Sequence, residues 1–210
     1  MKKGVLLVLL MIFCAHVSAQ ERSCGAEEYM QEMLKDPDFK KQWAEDKLNL
    51  KKELARRSNA DRNSFLMDEI VIPVAVHFPE GLEEDRLCLE ALAQNQIDIL
   101  NADFTATNSD ANLWTNAVAT GDYPGIIHGA ANIKFCIATS NHPANTDDDL
   151  IEGGPAVSIG YNFGGGTSTD PLWGGYLNFL VKPLNGGTLG FSPKPGNIAA
   201  GQSVTMNTFA

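Results

Sequence analysis

The chain has 210 residues, of which 44% are hydrophobic and 20% are charged, a composition typical of an ordered protein with a real core. Its net charge of −10 at pH 7 argues against nucleic acid as a partner, because phosphate binding requires a basic face. The length suits one domain of ordinary size plus an appendage.

The first 19 residues have the pattern of a secretory signal peptide. Lys2 and Lys3 give a positive start, residues 4–13 are a short apolar run, and Val17 and Ala19 are the small residues of a cleavage site. The apolar run is too short to span a bilayer permanently. We therefore predict a secreted protein with no membrane partner after signal removal, and the compact Lys-Lys start favours a bacterial origin.

Charge divides the rest of the chain sharply. Between residues 21 and 69, 22 of 49 residues are charged, against 18 of 141 from residue 70 onward. The charged block predicts two helices, over residues 26–34 and 39–57, that end at Arg56 and Arg57. We predict a propeptide-like helical segment over residues 20–65, with this dibasic pair as its processing site. The alternative is a solvated helical segment that stays packed on the main domain.

Residues 66–210 predict a single α/β (α+β) domain. A strand over residues 69–78 is apolar on both faces, and apolar residues recur at helical spacing from Cys88 to Phe104. This order predicts a mixed sheet with one long helix behind it. The Gly-rich stretch over residues 141–175 predicts a long surface loop. Further extended segments are predicted over residues 131–139, 175–184, 186–193 and 203–210.

The 210 residues show no complete active site. They contain no H-E-x-x-H zinc motif, and His77, His128 and His142 are isolated, so we interpret them as packing or surface residues. The acidic run over residues 147–149 is too closely spaced for a calcium loop and predicts a solvated loop. Glycines over residues 163–170 lack the lysine of a phosphate-binding loop and predict a turn. We predict no catalytic residue and no metal ligand here.

Signal cleavage would leave three cysteines, Cys24, Cys88 and Cys136, and an odd number leaves one unpaired in an oxidising compartment. A Cys88–Cys136 bridge is one interpretation, and two separate buried thiols is the preferred one. Cys24 lies between Arg22 and Gly25, and its thiolate would be a strong zinc ligand. The alternative is a plain cysteine without such a role.

The order of these segments resembles the pappalysin family of metzincin zinc endopeptidases, in particular its secreted bacterial, cytophagalysin-type members. Residues 71–78 (VIPVAVHF), 95–104 (NQIDILNADF) and 133–138 (IKFCIA) look like the first strand, first helix and a later strand of that family. Residues 175–196 and 203–209 look like further strands. The resemblance implies a metzincin-like fold in which residues 66–210 form the N-terminal half of a catalytic domain that ends before the zinc-binding helix.

The resemblance also implies a function and two roles for short segments. Zinc would be the cofactor of the complete family and a protein or peptide its substrate, while this chain as written is expected to be truncated and inactive, without zinc of its own. The alternative is a complete, non-catalytic secreted binding or decoy module. The segment around Cys24 resembles a propeptide cysteine switch. The strand along which metzincins bind an extended peptide by β-augmentation would consist of Thr188, Leu189, Gly190 and Phe191.

Overall fold

The structure is a computed structural model that describes residues 23–58, 69–114, 129–193 and 200–208. The predicted signal peptide, His128 and residues 59–68 lie outside the described residues, as do the side chains of Cys24 and Arg57. The helices are α1 (Ala26–Met33), α2 (Pro37–Ser58) and α3 (Arg86–Phe104), and none of them is long and apolar enough to cross a membrane. The strands are β1 (Ser23–Cys24), β2 (Ile70–Phe78), β3 (Ile133–Ile137), β4 (Val157–Ile159), β5 (Leu177–Lys182), β6 (Thr188–Phe191) and β7 (Ser203–Asn207).

These strands form one mixed sheet in the order β1-β6-β7-β5-β2-β3, with β4 beside the end of β2. β2 runs parallel to β3, β4 and β5, and β5 runs parallel to β7. β6 is antiparallel to β7, and β1 is parallel to β6. The predicted mixed α/β fold is therefore confirmed. The second half of β2 is buried throughout, as a strand that is apolar on both faces predicts.

Helix α3 covers one face of the sheet, because its apolar residues recur at helical spacing. Ala93 and Ile97 are each 2% exposed and pack in one cluster with Val74 and Phe135. Asn101 ties the helix to β3. Its Nδ2 donates to the carbonyl of Phe135 at 2.9 Å, and its Oδ1 accepts from the N–H of the same residue at 2.8 Å. The long helix predicted behind the sheet thus also closes the backbone of the strand at one edge.

The opposite face is covered by the segment between β3 and β5, where the glycine content predicts a surface loop. That prediction holds for the many exposed positions of the segment and is wrong for its buried part. Phe163 and Trp173 are 1% and 0% exposed and cluster with Leu180, and all three residues of β4 are buried. The apolar residues of this segment do not recur at a helical or strand period. The periodicity that predicts the other elements is therefore missing here.

Asp147 contradicts the prediction of a solvated acidic loop. Its side chain is 3% exposed, and it accepts from the guanidinium of Arg86 at 3.1 Å and from the N–H of Ile159 at 2.9 Å. Arg86 also donates to the carbonyl of Val157 at 3.1 Å, so this ion pair fixes β4 against the start of α3. A buried carboxylate persists here because a cation and a backbone donor both pair with it. The next two residues, both aspartates, are exposed as predicted.

Cys88 and Cys136 are separate free thiols, which confirms the preferred interpretation over a bridge. Cys88 is exposed and Cys136 is half-buried, however, so the prediction that both thiols are buried is wrong for Cys88 and only partly met by Cys136. The physical reason lies in the helix: α3 packs Leu89 and Ala93 against the sheet, and Cys88 falls outside that stripe.

Candidate functional site

Strand β6 is the strand that the resemblance assigns to peptide binding, and a segment of the same chain lies along it. β1 pairs with β6 in parallel, with Ser23 opposite Thr188 and Cys24 opposite Gly190. The N–H of Gly25 extends this pairing by donating to the carbonyl of Gly190 at 2.9 Å. The outer side of β6 therefore receives a main-chain segment by β-augmentation. The role of Cys24 as a cysteine switch stays a prediction, because only its backbone is described.

Two glycines allow this close approach of three backbones. A Cβ at Gly190 would stand 2.6 Å from the carbonyl oxygen of Thr205 on β7. A Cβ at Gly25 would stand 2.9 Å from Cγ2 of Thr188 on β6. Without a Cβ at either position, β6 packs closely on β7 and still accepts a paired segment on its outer side.

Tyr29, in the first turns of α1, anchors the N-terminal segment to the main domain. Its ring stacks on Phe191 at the end of β6, with the ring centroids 4.6 Å apart and an interplanar angle of 24°. Its hydroxyl lies 2.9 Å from Oγ of Ser168, 139 positions later in the chain. The neighbouring Met30 is 3% exposed. The segment is thus held by backbone pairing, one aromatic stack and one buried apolar side chain.

Helix α2 is held much less tightly than α1, since its described side chains are all exposed or half-exposed. Arg56, one half of the predicted processing site, is exposed near the end of this helix. Arg57 belongs to the same helix, with its side chain outside the described part of the chain. Cleavage at this pair requires the end of α2 to unwind locally, which helix ends do readily. Processing there stays a prediction.

His77 lies in the core, and its interpretation as a packing residue is confirmed. Its side chain is 0% exposed, with Nε2 3.2 Å from Oδ1 of Asn178 and Nδ1 2.7 Å from Oγ of Ser158. Because Nδ2 of Asn178 donates to the carbonyl of Trp173, its Oδ1 is the acceptor for His77. Nε2 therefore carries the hydrogen, and Nδ1 accepts from the serine. Burial lowers the pKa of His77 from 6.5 to about 4, so the imidazole is neutral at pH 7.

The described residues do not fit a catalytic zinc. One cluster of candidate ligands exists, in which carboxylate oxygens of Glu83, Asp147 and Asp149 lie within 4.8 Å of one another. Arg86 already pairs with Glu83 at 2.8 Å and with Asp147 at 3.1 Å. Both ring nitrogens of His77 are hydrogen-bonded inside the core. Within the described ranges, the donor set of a zinc site is therefore missing.

Comparison with known proteins now adds to this geometry. No protein-family model and no curated protein matches the chain. Among solved structures, the chain is similar to a promirolysin mutant from Tannerella forsythia, with a TM-score of 0.51 and 23% identity over 89% of this chain and 59% of that one. The chain shares the mixed α/β fold of that protein. At this identity the likeness shows the fold alone, and the chain spans 59% of the promirolysin chain.

A second solved structure is mature mirolysin from the same organism in complex with a cleaved peptide. Its TM-score is 0.43, at 21% identity over 67% of this chain and 53% of that chain. A TM-score this low carries no argument about the present fold or its ligands.

The sequence pointed to Cys24, Gly25 and β6, but it did not single out Tyr29 and Ser168, which anchor the N-terminal segment. The resemblance points to β6 itself, whereas Tyr29 and Ser168 come from parts of the chain with no visible connection. The available signals were weak: Gly25 follows the cysteine directly, and Tyr29 is an aromatic residue among charged neighbours. Neither predicts a partner 139 positions away.

Proposed function

We propose that residues 66–210 form the peptide-binding, N-terminal half of the catalytic domain of a secreted zinc metalloendopeptidase of the pappalysin type. Residues 20–65 would be its propeptide. The observation that carries this proposal is the pairing of β1 with β6, in which the edge of the sheet holds an extended main chain through backbone hydrogen bonds. A peptide substrate would use the same donors and acceptors.

The proposal assigns peptide binding, rather than zinc binding or hydrolysis, to these 210 residues. They contain no H-E-x-x-H, and the acidic cluster in the described part of the chain is already paired with Arg86. The purified protein is therefore expected to hold no stoichiometric zinc and to leave casein intact. Cleavage of casein that a chelator abolishes would contradict this assignment.

A latent peptidase explains the self-occupied edge better than a free binding module does. A secreted decoy that used β6 to capture partners would be expected to leave this strand open. Here the chain's own segment covers β6, and its tether keeps it at a local concentration on the order of millimolar. Removal of the segment, by cleavage at Arg56 and Arg57, would then open the edge to peptides.

The test is peptide binding to the full chain with and without an opened edge. Gly25→Pro removes the N–H that donates to Gly190 and adds ring atoms beside Thr188, so it should release β1. The probe is a fluorescein-labelled peptide of residues 22–34 with serine in place of Cys24. We expect the variant to bind the peptide at least about tenfold more tightly than the unaltered chain does. In the unaltered chain, the N-terminal segment competes with the peptide for β6.

Two controls make this measurement specific. A scrambled peptide of the same composition should not bind, and near-ultraviolet circular dichroism should show that the Gly25→Pro variant keeps its tertiary packing. Equal affinity for the ordered and scrambled peptides, or no binding to a well-packed variant, would contradict a peptide-binding role for β6.

A further inference from the structure

Phe191 and Ser168 together form a small surface that a tyrosine side chain fills in this structure. The Phe191 ring is the flat apolar part of this surface, and its centroid lies 4.6 Å from that of the Tyr29 ring. Ser168 is 8% exposed and supplies a hydroxyl 2.9 Å from that of Tyr29. The Ser168 carbonyl is fixed from the other side, because it accepts from the N–H of Ser203 at 2.9 Å and from its hydroxyl at 3.0 Å. The serine is therefore firmly placed against the start of β7.

This surface lies on the path of a chain that pairs with β6. The backbone contact of the N-terminal segment reaches Gly190, through Cys24 and Gly25, and Phe191 is the next residue of the strand. A peptide that continued along the strand would bring its following residues beside Phe191. The N-terminal segment turns into α1 at this point and places Tyr29 there instead. One aromatic ring thus occupies the position beside the last residue of β6.

We propose that Phe191 and Ser168 form an aromatic subsite of the β6 edge that selects peptides with a tyrosine side chain, and that Tyr29 fills it in the covered form. This inference rests on the proposed peptide-binding function and names its preferred side chain. Stacking on Phe191 favours any aromatic ring. The hydroxyl of Ser168 adds a preference for the phenol over the plain phenyl ring. An aliphatic side chain would obtain neither interaction.

The first experiment measures this preference in peptides. The protein is the full chain with Gly25→Pro and Tyr29→Ala, which opens both the strand and the subsite. The probes are labelled peptides of residues 22–34, with serine for Cys24 and with Tyr, Phe, Leu or Ala at the position of Tyr29. We expect the Tyr peptide to bind about tenfold more tightly than the Ala peptide, with the Phe peptide about threefold weaker than the Tyr peptide.

Two further variants locate the preference on the protein. Adding Ser168→Ala should make the Tyr and Phe peptides bind equally, since it removes the hydroxyl partner alone. Adding Ser140→Ala, an exposed serine outside the subsite, should leave the difference unchanged. Adding Phe191→Leu should reduce the advantage of both aromatic peptides over the Leu peptide, because the stacking partner is gone.

The outcomes separate the subsite from the function on which it rests. Equal affinity for all four peptides would overturn the aromatic subsite and leave peptide binding at β6 standing. Failure of every peptide to bind would overturn both. A Tyr preference that survives both Ser168→Ala and Phe191→Leu would also overturn the assignment, because it would have to arise elsewhere.

A second measurement covers the case in which the double variant does not fold. Tyr29→Ala alone vacates the subsite while leaving the pairing of β1 with β6 in place. Saturation-transfer NMR with p-cresol, which is the tyrosine side chain itself, should show binding to this variant and none to the unaltered chain. Toluene should bind more weakly than p-cresol, and the difference should vanish in Tyr29→Ala with Ser168→Ala. Equal p-cresol signals with and without Tyr29 would overturn the proposal.

Discussion

At the β3 edge of the sheet, the side chain of Asn101 occupies both the N–H and the carbonyl of Phe135, and its helix is buried against the sheet through Ala93 and Ile97. At the β6 edge, the cover is a main-chain segment paired over Ser23–Cys24 and anchored by Tyr29. It continues into α2, whose described side chains are exposed or half-exposed. One edge is closed by part of the core, and the other by a segment with few contacts.

The two edges of the sheet differ in how firmly they are covered. An unpaired strand edge invites association with other chains, so both edges need a cover. A cover that shares the core comes away only when the domain unfolds. A cover that rests on a short pairing, one aromatic anchor and the buried Met30 comes away in a local opening of smaller free energy. The β6 edge is therefore the one that a local opening would expose more readily.

The largest expected effect on stability comes from disrupting the packing of α3 against the sheet. Ile97→Ala removes a buried side chain of α3 and should lower the free energy of unfolding by about 3 kcal/mol, within the usual range of roughly 2–5. Ile99→Ala on the same helix is the matched control, because Ile99 is 47% exposed and should lose less than about 1 kcal/mol. Urea unfolding measures both. Equal losses for the two variants would mean that α3 does not pack as described.

Acid should weaken the core through the buried His77. Because the pKa of His77 is about 4 in the folded protein and 6.5 in the unfolded chain, the unfolded chain binds a proton first as pH falls. The stability that the neutral imidazole contributes is complete above pH 6.5 and is lost as pH falls through about 4. This loss should reach about 2 kcal/mol near pH 5 and about 3 kcal/mol near pH 4.

The measurement is urea unfolding at several pH values, with His77→Gln as the comparison. The variant is expected to be less stable at pH 7 but to have a flatter pH dependence between about pH 6.5 and 5. His77 is hydrogen-bonded to Ser158 and Asn178 and not to the residues that hold the segment on β6. An unchanged slope in His77→Gln would show that another group carries the acid sensitivity.

A smaller loss of stability is expected when the β3 edge is opened without disturbing the core. Asn101→Ala leaves the N–H and carbonyl of Phe135 without their partner, which should cost about 1–2 kcal/mol because water reaches a half-buried edge only partly. Asn95→Ala is the matched control, since Asn95 is exposed on the same helix. Unfolding curves give the stabilities, and hydrogen exchange at Phe135 should accelerate in Asn101→Ala alone. Equal exchange protection of the Phe135 amide in both variants would show that the hydrogen bonds from Asn101 do not stabilise this edge.

The smallest effect on global stability should come from loosening the β6 cover. Tyr29→Ala is expected to change the free energy of unfolding of the main domain by less than about 0.5 kcal/mol. Amide exchange in α1 should nevertheless accelerate about tenfold, because the stack on Phe191 and the bond to Ser168 are lost. Gln31→Ala, at an exposed position of the same helix, should leave exchange unchanged. A large global destabilisation by Tyr29→Ala would mean that the segment belongs to the core.

Local patterns in the sequence determined where most of the elements lie. The alternation that predicts a strand over residues 69–78 becomes β2, and the helical spacing from Cys88 to Phe104 becomes α3. The charged block becomes α1 and α2, within a few residues of the predicted ends. These elements were predictable because hydrophobic period, helix propensity and turn residues act over neighbouring positions.

Only the tertiary structure decided what the remaining residues do. Strand β4, the burial of Asp147 and the neutral His77 all depend on partners far along the chain, and no local period marks them. The β6 edge shows this most clearly. The resemblance indicates the strand, but the two-residue β1 that covers it and the contact of Tyr29 with Ser168 exist only once residues 139 positions apart are brought together. Burial and pairing of this kind are properties of the assembled sheet and not of any short stretch of sequence.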